Sequence, residues 1–406
     1  MKKTVANNVY WIGKSDWELR QFHGYEYSTN KGSTYNSYLI FEEKNVLIDT
    51  VFKPFSREYI ENLSEEIGLS KIDYIVCNHA EPDHSGALPD LMELIPQTPI
   101  YCTKNCIKSL QGHYHKNWNF IPVKTGDKLS LGNGKELIFI QAPMLHWPDS
   151  MFCYLSGDNI LFSNDAFGQH YCSEPIFNDL VDQHELYSEA IKYYANILTP
   201  FSKLVTKKIE EIENLNLPVD YICPSHGIIW REEPLQIVRK YAEWADNYQQ
   251  NQITVIYDTM YNGTRAIAES IVNGLTLADK NMTVKLYNAA KNDKNDIITE
   301  IFKSKAILIG CPTVNNGIMY SIAGLLEMVK GLKFQGKKAA AFGCYGWHDT
   351  STKIIEDVLK ESGFEIVSER LSAIWEPDSN FLDKCIDYGK QFVTVLNSSD
   401  FRKSRS

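Results

Sequence analysis

Residues 79–84 read His79-Ala80-Glu81-Pro82-Asp83-His84, four potential metal ligands in six positions, just after the apolar run Tyr74-Ile75-Val76-Cys77. Pro82 disfavours the helical region for Glu81. The expectation is an extended segment whose alternate side chains His79, Glu81 and Asp83 converge on one space. Carboxylates and imidazoles at that density suit one cation, or two close together. The alternative is a polar turn at a strand end with its histidines satisfied by hydrogen bonds. Four ligand residues at this spacing weigh against it.

Three more candidates each follow a predicted strand. His146 lies in Ala142-Pro143-Met144-Leu145-His146-Trp147-Pro148, Asp165 in Ser163-Asn164-Asp165-Ala166-Phe167-Gly168, and His226 in Pro224-Ser225-His226-Gly227. Loop residues at strand ends can meet at one sheet edge although they are far apart in sequence. His113, His115, His170, His184 and His348 receive no role as ligands.

A second constellation lies in the last third of the chain. Thr259-Met260-Tyr261-Asn262-Gly263-Thr264 stands between a predicted strand and helix. Backbone N–H groups and the positive helix end can bind a phosphate there. Hydroxyl and glycine turns before helices are also common as plain caps. Two later strand ends, Gly310-Cys311-Pro312-Thr313-Val314-Asn315-Asn316 and Gly343-Cys344-Tyr345-Gly346-Trp347, fall on the same predicted edge. Tyr345 or Trp347 can cover a flat ring, or simply pack the loop.

Composition restricts the frame around these groups. A chain of 406 residues exceeds one ordinary core, so two domains are expected, 1–250 and 251–406. The net charge of -10 argues against nucleic acid as a partner, since phosphate binding needs basic surface. No signal peptide follows Met1-Lys2-Lys3, and no apolar stretch is long enough to span a bilayer, so a cytoplasmic protein without membrane contact is expected. The nine scattered cysteines suit buried thiols, notably Cys77, Cys153, Cys223 and Cys311. There is no C-x-x-C pair, which points to a separate protein for any rubredoxin-type carrier.

The first domain mixes strands with helices. Strands are expected at 9–13, 38–41, 46–49, 74–77, 99–102, 136–141, 151–155, 160–162 and 221–223, and helices at 55–67, 86–95, 184–198 and 201–214. The runs at 38–41 and 46–49 suggest a hairpin, and the whole an αββα sandwich. A helix over 231–252 with a polar end is read as the linker. From 253 the βα alternation predicts a flavodoxin-like doubly wound parallel sheet of five strands, with its ligand at their carboxyl ends.

The order H-x-E-x-D-H, then H, D and H, resembles the metallo-β-lactamase fold. Glu81, where hydrolases of that fold usually carry His, is similar to the flavodiiron proteins (A-type flavoproteins), which join such a domain to a flavodoxin-like one. The resemblance covers essentially the whole chain. It implies two iron ions and FMN as cofactors. His79, Glu81 and His146 would bind one iron, Asp83 and His226 the other, and Asp165 would bridge them. His84 is left either a ligand or turned away. The flavin loop resembles the flavodoxin phosphate loop, with Tyr261 in place of the usual threonine. The resemblance suggests that His23 approaches the metals, and Tyr193 or Tyr194 could supply a hydroxyl nearby, although the residues alone favour an ordinary surface histidine and a core tyrosine.

The resemblance further implies reduction of dioxygen to water, of nitric oxide to nitrous oxide, or of both. Electrons would come through FMN from a rubredoxin-like protein or a reduced deazaflavin. It also implies a head-to-tail homodimer or a dimer of dimers. Independently, a carboxylate in place of an imidazole makes the site harder and favours iron or manganese over zinc. A zinc hydrolase of the same fold and a non-catalytic electron carrier remain as alternatives.

Overall fold

The structure is a computed structural model and describes residues 2–403. It divides into two compact units, Met1–Tyr194 with Phe201–Ala245, and Ala195–Pro200 with Asp246–Ser406.

The first unit is built on two main sheets. Seven strands run in the order Lys3–Ala6, Val9–Trp11, Tyr38–Ile40, Val46–Ile48, Tyr74–Val76, Ile100–Cys102 and Phe120–Pro122. The first four pair antiparallel, including the expected hairpin, and the last three join in parallel. Five strands form the second sheet: Lys128–Gly132, Lys135–Gln141, Met151–Leu155, Ile160–Asn164 and Tyr221–Pro224. Ile40, Ile48 and Val76 from the first sheet share one buried cluster with Phe139, Cys153, Phe162 and Cys223 from the second. Met151–Leu155 and Ile160–Asn164 are buried at every residue, which explains their near-continuous apolar sequence. This is the αββα sandwich expected.

Strands Lys135–Gln141, Ile160–Asn164 and Tyr221–Pro224 run in one direction, by two antiparallel pairings and one parallel pairing. Their following loops therefore open at one edge, carrying His146, Asp165 and His226. The segment 79–84 departs from expectation. Glu81 is extended (φ -56°, ψ 141°), but Pro82–Ser85 forms a helical turn. Proline lacks the N–H that a first helical residue has no use for, and its fixed φ suits that position. It therefore extends the residue before it and starts a turn after it. Asp83 and His84 leave from that turn, not from an alternating strand.

Several elements lacked a clear pattern in sequence: the short strands at 14–16, 21–22, 27–28 and 33–35, the strands at 120–122 and 128–132, and helix Lys104–Tyr114. The helix expected over 184–198 is α-helical only to Tyr193 and continues as a π-helical turn, Tyr194–Leu198. The helix expected over 231–252 is Leu235–Ala245, and the next strand already begins at Gln250. Polar Gln252 reads as linker in sequence, yet it is buried and donates to Glu300 Oε2 at 2.7 Å.

The second unit has the strand order Thr283–Asn288, Gln250–Tyr257, Ser304–Pro312 and Lys338–Tyr345, all parallel. The fifth place is shared by two short strands, Glu365–Ile366 and Leu371–Ile374, pairing successive parts of Lys338–Tyr345. Helices Gly263–Ala278 and Ser379–Lys403 approach closely, because a Cβ at Gly274 would lie 2.0 Å from the Ile386 carbonyl oxygen. No helix among the described residues is long and apolar enough to cross a membrane.

Candidate metal centre and flavin site

Seven of the expected ligands gather into two groups, His79, Glu81, His146 and Asp165 in one and Asp83, His84 and His226 in the other. All but half-buried His146 are buried. In the first group His79 Nε2 lies 3.1 Å from Glu81 Oε2 and 3.7 Å from Asp165 Oδ2. His146 Nε2 lies 3.5 and 3.4 Å from the same two oxygens. In the second, His226 Nε2 lies 3.0 Å from Asp83 Oδ2, and His84 Nε2 lies 3.3 Å from it. Asp165 faces both groups: Oδ2 looks toward His79 and His146, while Oδ1 is 3.0 Å from His84 Nε2 and 3.6 Å from His226 Nε2.

These separations suit cations. Ligand atoms about 2.1 Å from one ion and at right angles to each other sit about 3 Å apart. The polar accounting agrees. Both carboxylate oxygens of Asp83 and Asp165 and both ring nitrogens of His84 are buried, and apart from the close imidazole–carboxylate approaches within the cluster they make no hydrogen bond among the described residues. Buried polar atoms are rarely left so, and an ion is a standard reason. His84 is thus brought in with Asp83 and His226, not turned away.

Supporting contacts orient the imidazoles. His79 Nδ1 is 3.0 Å from Asp149 Oδ2, which also accepts from the Ala80 N–H at 2.8 Å. Asp49 accepts from the backbone and side-chain N–H groups of Asn78 at 2.7 and 2.9 Å, anchoring the residue before His79. Burial drives the Asp49 carboxyl up to about 6. For His79, burial opposes the charged ring, but the carboxylates of Asp149 and Glu81 prevail and lift it to about 10. His146 rises to about 10 and His84 to about 9 against the same burial, through Asp165 with Glu81 and through Asp83 with Asp165 respectively.

His23 does reach the site, its Nε2 2.9 Å from Glu81 Oε1. The buried ring of Tyr193 is 5.3 Å from that of His170, whereas the Tyr194 hydroxyl pairs with Ser202 Oγ at 3.0 Å. His170 belongs to neither ligand group, but it is buried with its ring 4.9 Å from that of His226. Asp49 and Asp149 had no sequence signal beyond lying near a strand end and in the loop of His146.

In the second unit, loops at the carboxyl ends of the strands enclose a cavity of about 710 Å³, a size suited to a cofactor. It is lined by Thr259, Met260, Tyr261, Gly263, Pro312, Thr313, Val314, Asn315, Cys344, Tyr345, Gly346 and Trp347, as expected, and also by Asn316, His348, Trp375 and Glu376. Asn262, Thr264 and Gly343 do not line it. Asn262 instead takes the left-handed conformation (φ 69°) that starts helix Gly263–Ala278. The buried Thr264 hydroxyl lies 3.1 Å from Cys344 Sγ. A Cβ at Gly343 would stand 2.3 Å from the Cys311 carbonyl oxygen, so this glycine serves strand packing.

The cavity fits a flat ring bearing a phosphate. The Thr259 hydroxyl is buried without a partner among the described residues, beside the helix N-terminus, a place suited to an anion. The exposed rings of Trp347 and Trp375 are 6.0 Å apart at the mouth. Trp375 follows the short strand Leu371–Ile374, whose weak pattern hid both strand and loop.

Two family models match, an ODP family beta lactamase over residues 34–227 and a flavodoxin over 255–389. An anaerobic nitric oxide reductase flavorubredoxin of Klebsiella pneumoniae is 57% identical over 394 residues, 97% of this chain and 82% of the relative. Among solved structures, the rubredoxin oxygen:oxidoreductase of Desulfovibrio gigas superposes with a TM-score of 0.94 at 33% identity, covering 98% of this chain and 99% of that one. The flavodiiron protein of Giardia intestinalis gives 0.93 at 31%, covering 98% and 97%. A β-lactamase-like domain with an acid-rich ligand set, followed by a flavodoxin domain, defines a class of oxidoreductases. The chain belongs to that class, the flavodiiron family. The hydrolase and simple-carrier alternatives do not account for both halves together.

Proposed function

We propose that this chain reduces nitric oxide to nitrous oxide at a non-haem diiron centre, with electrons delivered through FMN, and that dioxygen is a second substrate. Residues 1–250 would hold the metals and 251–406 the flavin. The carrying observation is the Asp165 carboxylate, with one oxygen toward His79 and His146 and the other toward His84 and His226. A carboxylate shared in this way suits two ions that act on one small molecule. Nitric oxide is favoured because the curated relative above carries that activity in its name. The dioxygen reading rests on the name of the Desulfovibrio protein.

When bound, the iron ions would supply Lewis acidity and electrons, and FMN would take up and pass on single electrons. The protein's part is positional. His79, Glu81, His146 and Asp165 would hold one ion, Asp83, His84 and His226 the other, with Asp165 common to both. Two nitric oxide molecules, two electrons and two protons yield nitrous oxide and one water; dioxygen takes four of each to give two waters. His23, half-exposed and 2.9 Å from Glu81, lies where protons can be passed inward from solvent. We infer a rubredoxin-type donor, in keeping with the names of the relatives, and, from the sequence reading alone, a head-to-tail dimer in a cytoplasmic setting.

Anaerobic single-turnover kinetics of the reduced protein with each gas, with iron and flavin measured on the same sample, tests the reading. Rapid nitrous oxide formation is the expected outcome. A reduced, iron-loaded protein that consumes neither gas overturns it.

A further inference from the structure

The geometry points to Asp149 as a positioning residue for the metal centre, an anionic hydrogen-bond acceptor that orients His79 and strengthens its hold on the ion. This inference rests on the reading of His79 as a ligand.

Asp149 is fully buried, and its Oδ2 meets both His79 Nδ1 at 3.0 Å and the Ala80 N–H at 2.8 Å. A carboxylate that accepts from Nδ1 fixes a ring proton there, so that Nε2, which faces Glu81 and Asp165, is the nitrogen an ion would take. Acceptors of this kind raise the basicity of a metal-bound imidazole.

The alternative is a purely structural clasp, since the same oxygen ties the loop of residues 79–81 to the loop that follows His146. A clasp needs only a neutral acceptor for the Ala80 N–H, which an asparagine would provide. The second oxygen, Oδ1, is buried without a hydrogen-bond partner among the described residues. A full charge kept in so dry a place is costly unless positive charge lies close by. His79, 3.0 Å from Oδ2, is the group through which positive charge reaches Asp149, as an imidazolium or as a metal-bound ring.

The test compares Asp149→Asn with Asn105→Ala. The latter removes a hydrogen bond to the Pro148 carbonyl at 3.0 Å, loosening the same loop while sparing the carboxylate. Iron affinity of the flavin-loaded protein is measured by competition with a chelator, and the reduction potential of the iron pair is recorded alongside. Expected is a loss of about ten- to a hundredfold in affinity for one of the two ions in Asp149→Asn, with a raised potential, and near-native binding in Asn105→Ala. Unchanged affinity in Asp149→Asn, or equal losses in both variants, overturns the proposal. Wild-type protein that binds no iron defeats the metal reading itself. If Asp149→Asn does not fold, nitrogen-15 histidine spectra of the wild-type holoprotein decide. A slowly exchanging Nδ1 proton on His79 supports the proposal, and a rapidly exchanging one overturns it.

Discussion

His226 Nδ1 lies 2.6 Å from the carbonyl oxygen of Thr34. A carbonyl can only accept, so a proton sits on Nδ1, and Nε2, 3.0 Å from Asp83 Oδ2, is the nitrogen left to bind a cation. Thr34 is far from His226 in sequence, yet its backbone settles the tautomer that metal binding requires. His226→Gln should therefore lose the ion on the Asp83 side and keep the one at His79. Elemental analysis should show iron falling to about half of wild type with flavin retained. Full iron content in this variant would contradict the assignment.

Proton release offers a second check. Without metal, His79, His84 and His146 are lifted to about 10, 9 and 10, so all three are protonated at neutral pH. Their pairing with carboxylates steadies the metal-free fold below the ordinary histidine value of 6.5, and that contribution is lost as pH rises through about 9 to 10. Metal binding at pH 7 must expel about three protons. Calorimetric titration of metal-free protein with ferrous ion in buffers of differing ionisation enthalpy should show this release, declining as pH approaches 10.

The flavin cavity makes a separate prediction. Thr259→Val keeps side-chain volume but removes the buried hydroxyl, which has no partner among the described residues. A hydrogen bond to a charged phosphate contributes about 1.5–3 kcal/mol. FMN should bind roughly tenfold to a hundredfold more weakly, measured by fluorescence of released flavin, while riboflavin binding changes little. Equal weakening of both ligands would place the phosphate elsewhere.

Lys337 provides a test of stability. It is buried, and its Nζ donates to the carbonyl oxygens of Phe302 and Ser304 at 2.7 Å and of Tyr248 at 3.0 Å. Burial pushes the ammonium from 10.5 down to about 7. Below about pH 7 it is charged in folded and unfolded chains alike, and the cost of burying it is borne in full. Between 7 and 10.5 only the unfolded chain keeps the proton, so stability rises with pH. The gain is on the order of a few kcal/mol. Lys337→Met should flatten this rise in urea unfolding of the second unit at pH 6.5 and 9.5.

Much of the architecture was readable from periodicity. Regular βα alternation after residue 253 needs few alternatives, because parallel strands must be joined by crossovers. The first unit was harder. Strands of two or three residues, such as Gln21–Phe22 and Tyr27–Ser28, are too short for alternation to register. Gln252 is buried because Glu300 and Ser304 supply partners, and no local pattern announces such partners.

The identities of the ligands lay in the linear chain: His79, Glu81, Asp83, His84, His146, Asp165 and His226 are the residue types that bind hard cations, each at or near the end of an apolar strand. Their division into two groups came from the family resemblance and not from any local pattern, and the place of His84 beside Asp83 and His226 came only with the tertiary structure. Proline at position 82 both extends Glu81 and begins the turn that carries Asp83 and His84, and local rules alone do not say which effect governs the following residues. Nor could Asp149 or the Thr34 carbonyl be identified as anchors, since a hydrogen bond depends on distance in space. Only the closing of two sheets over one core brings these strand ends, and the groups that orient them, to one edge.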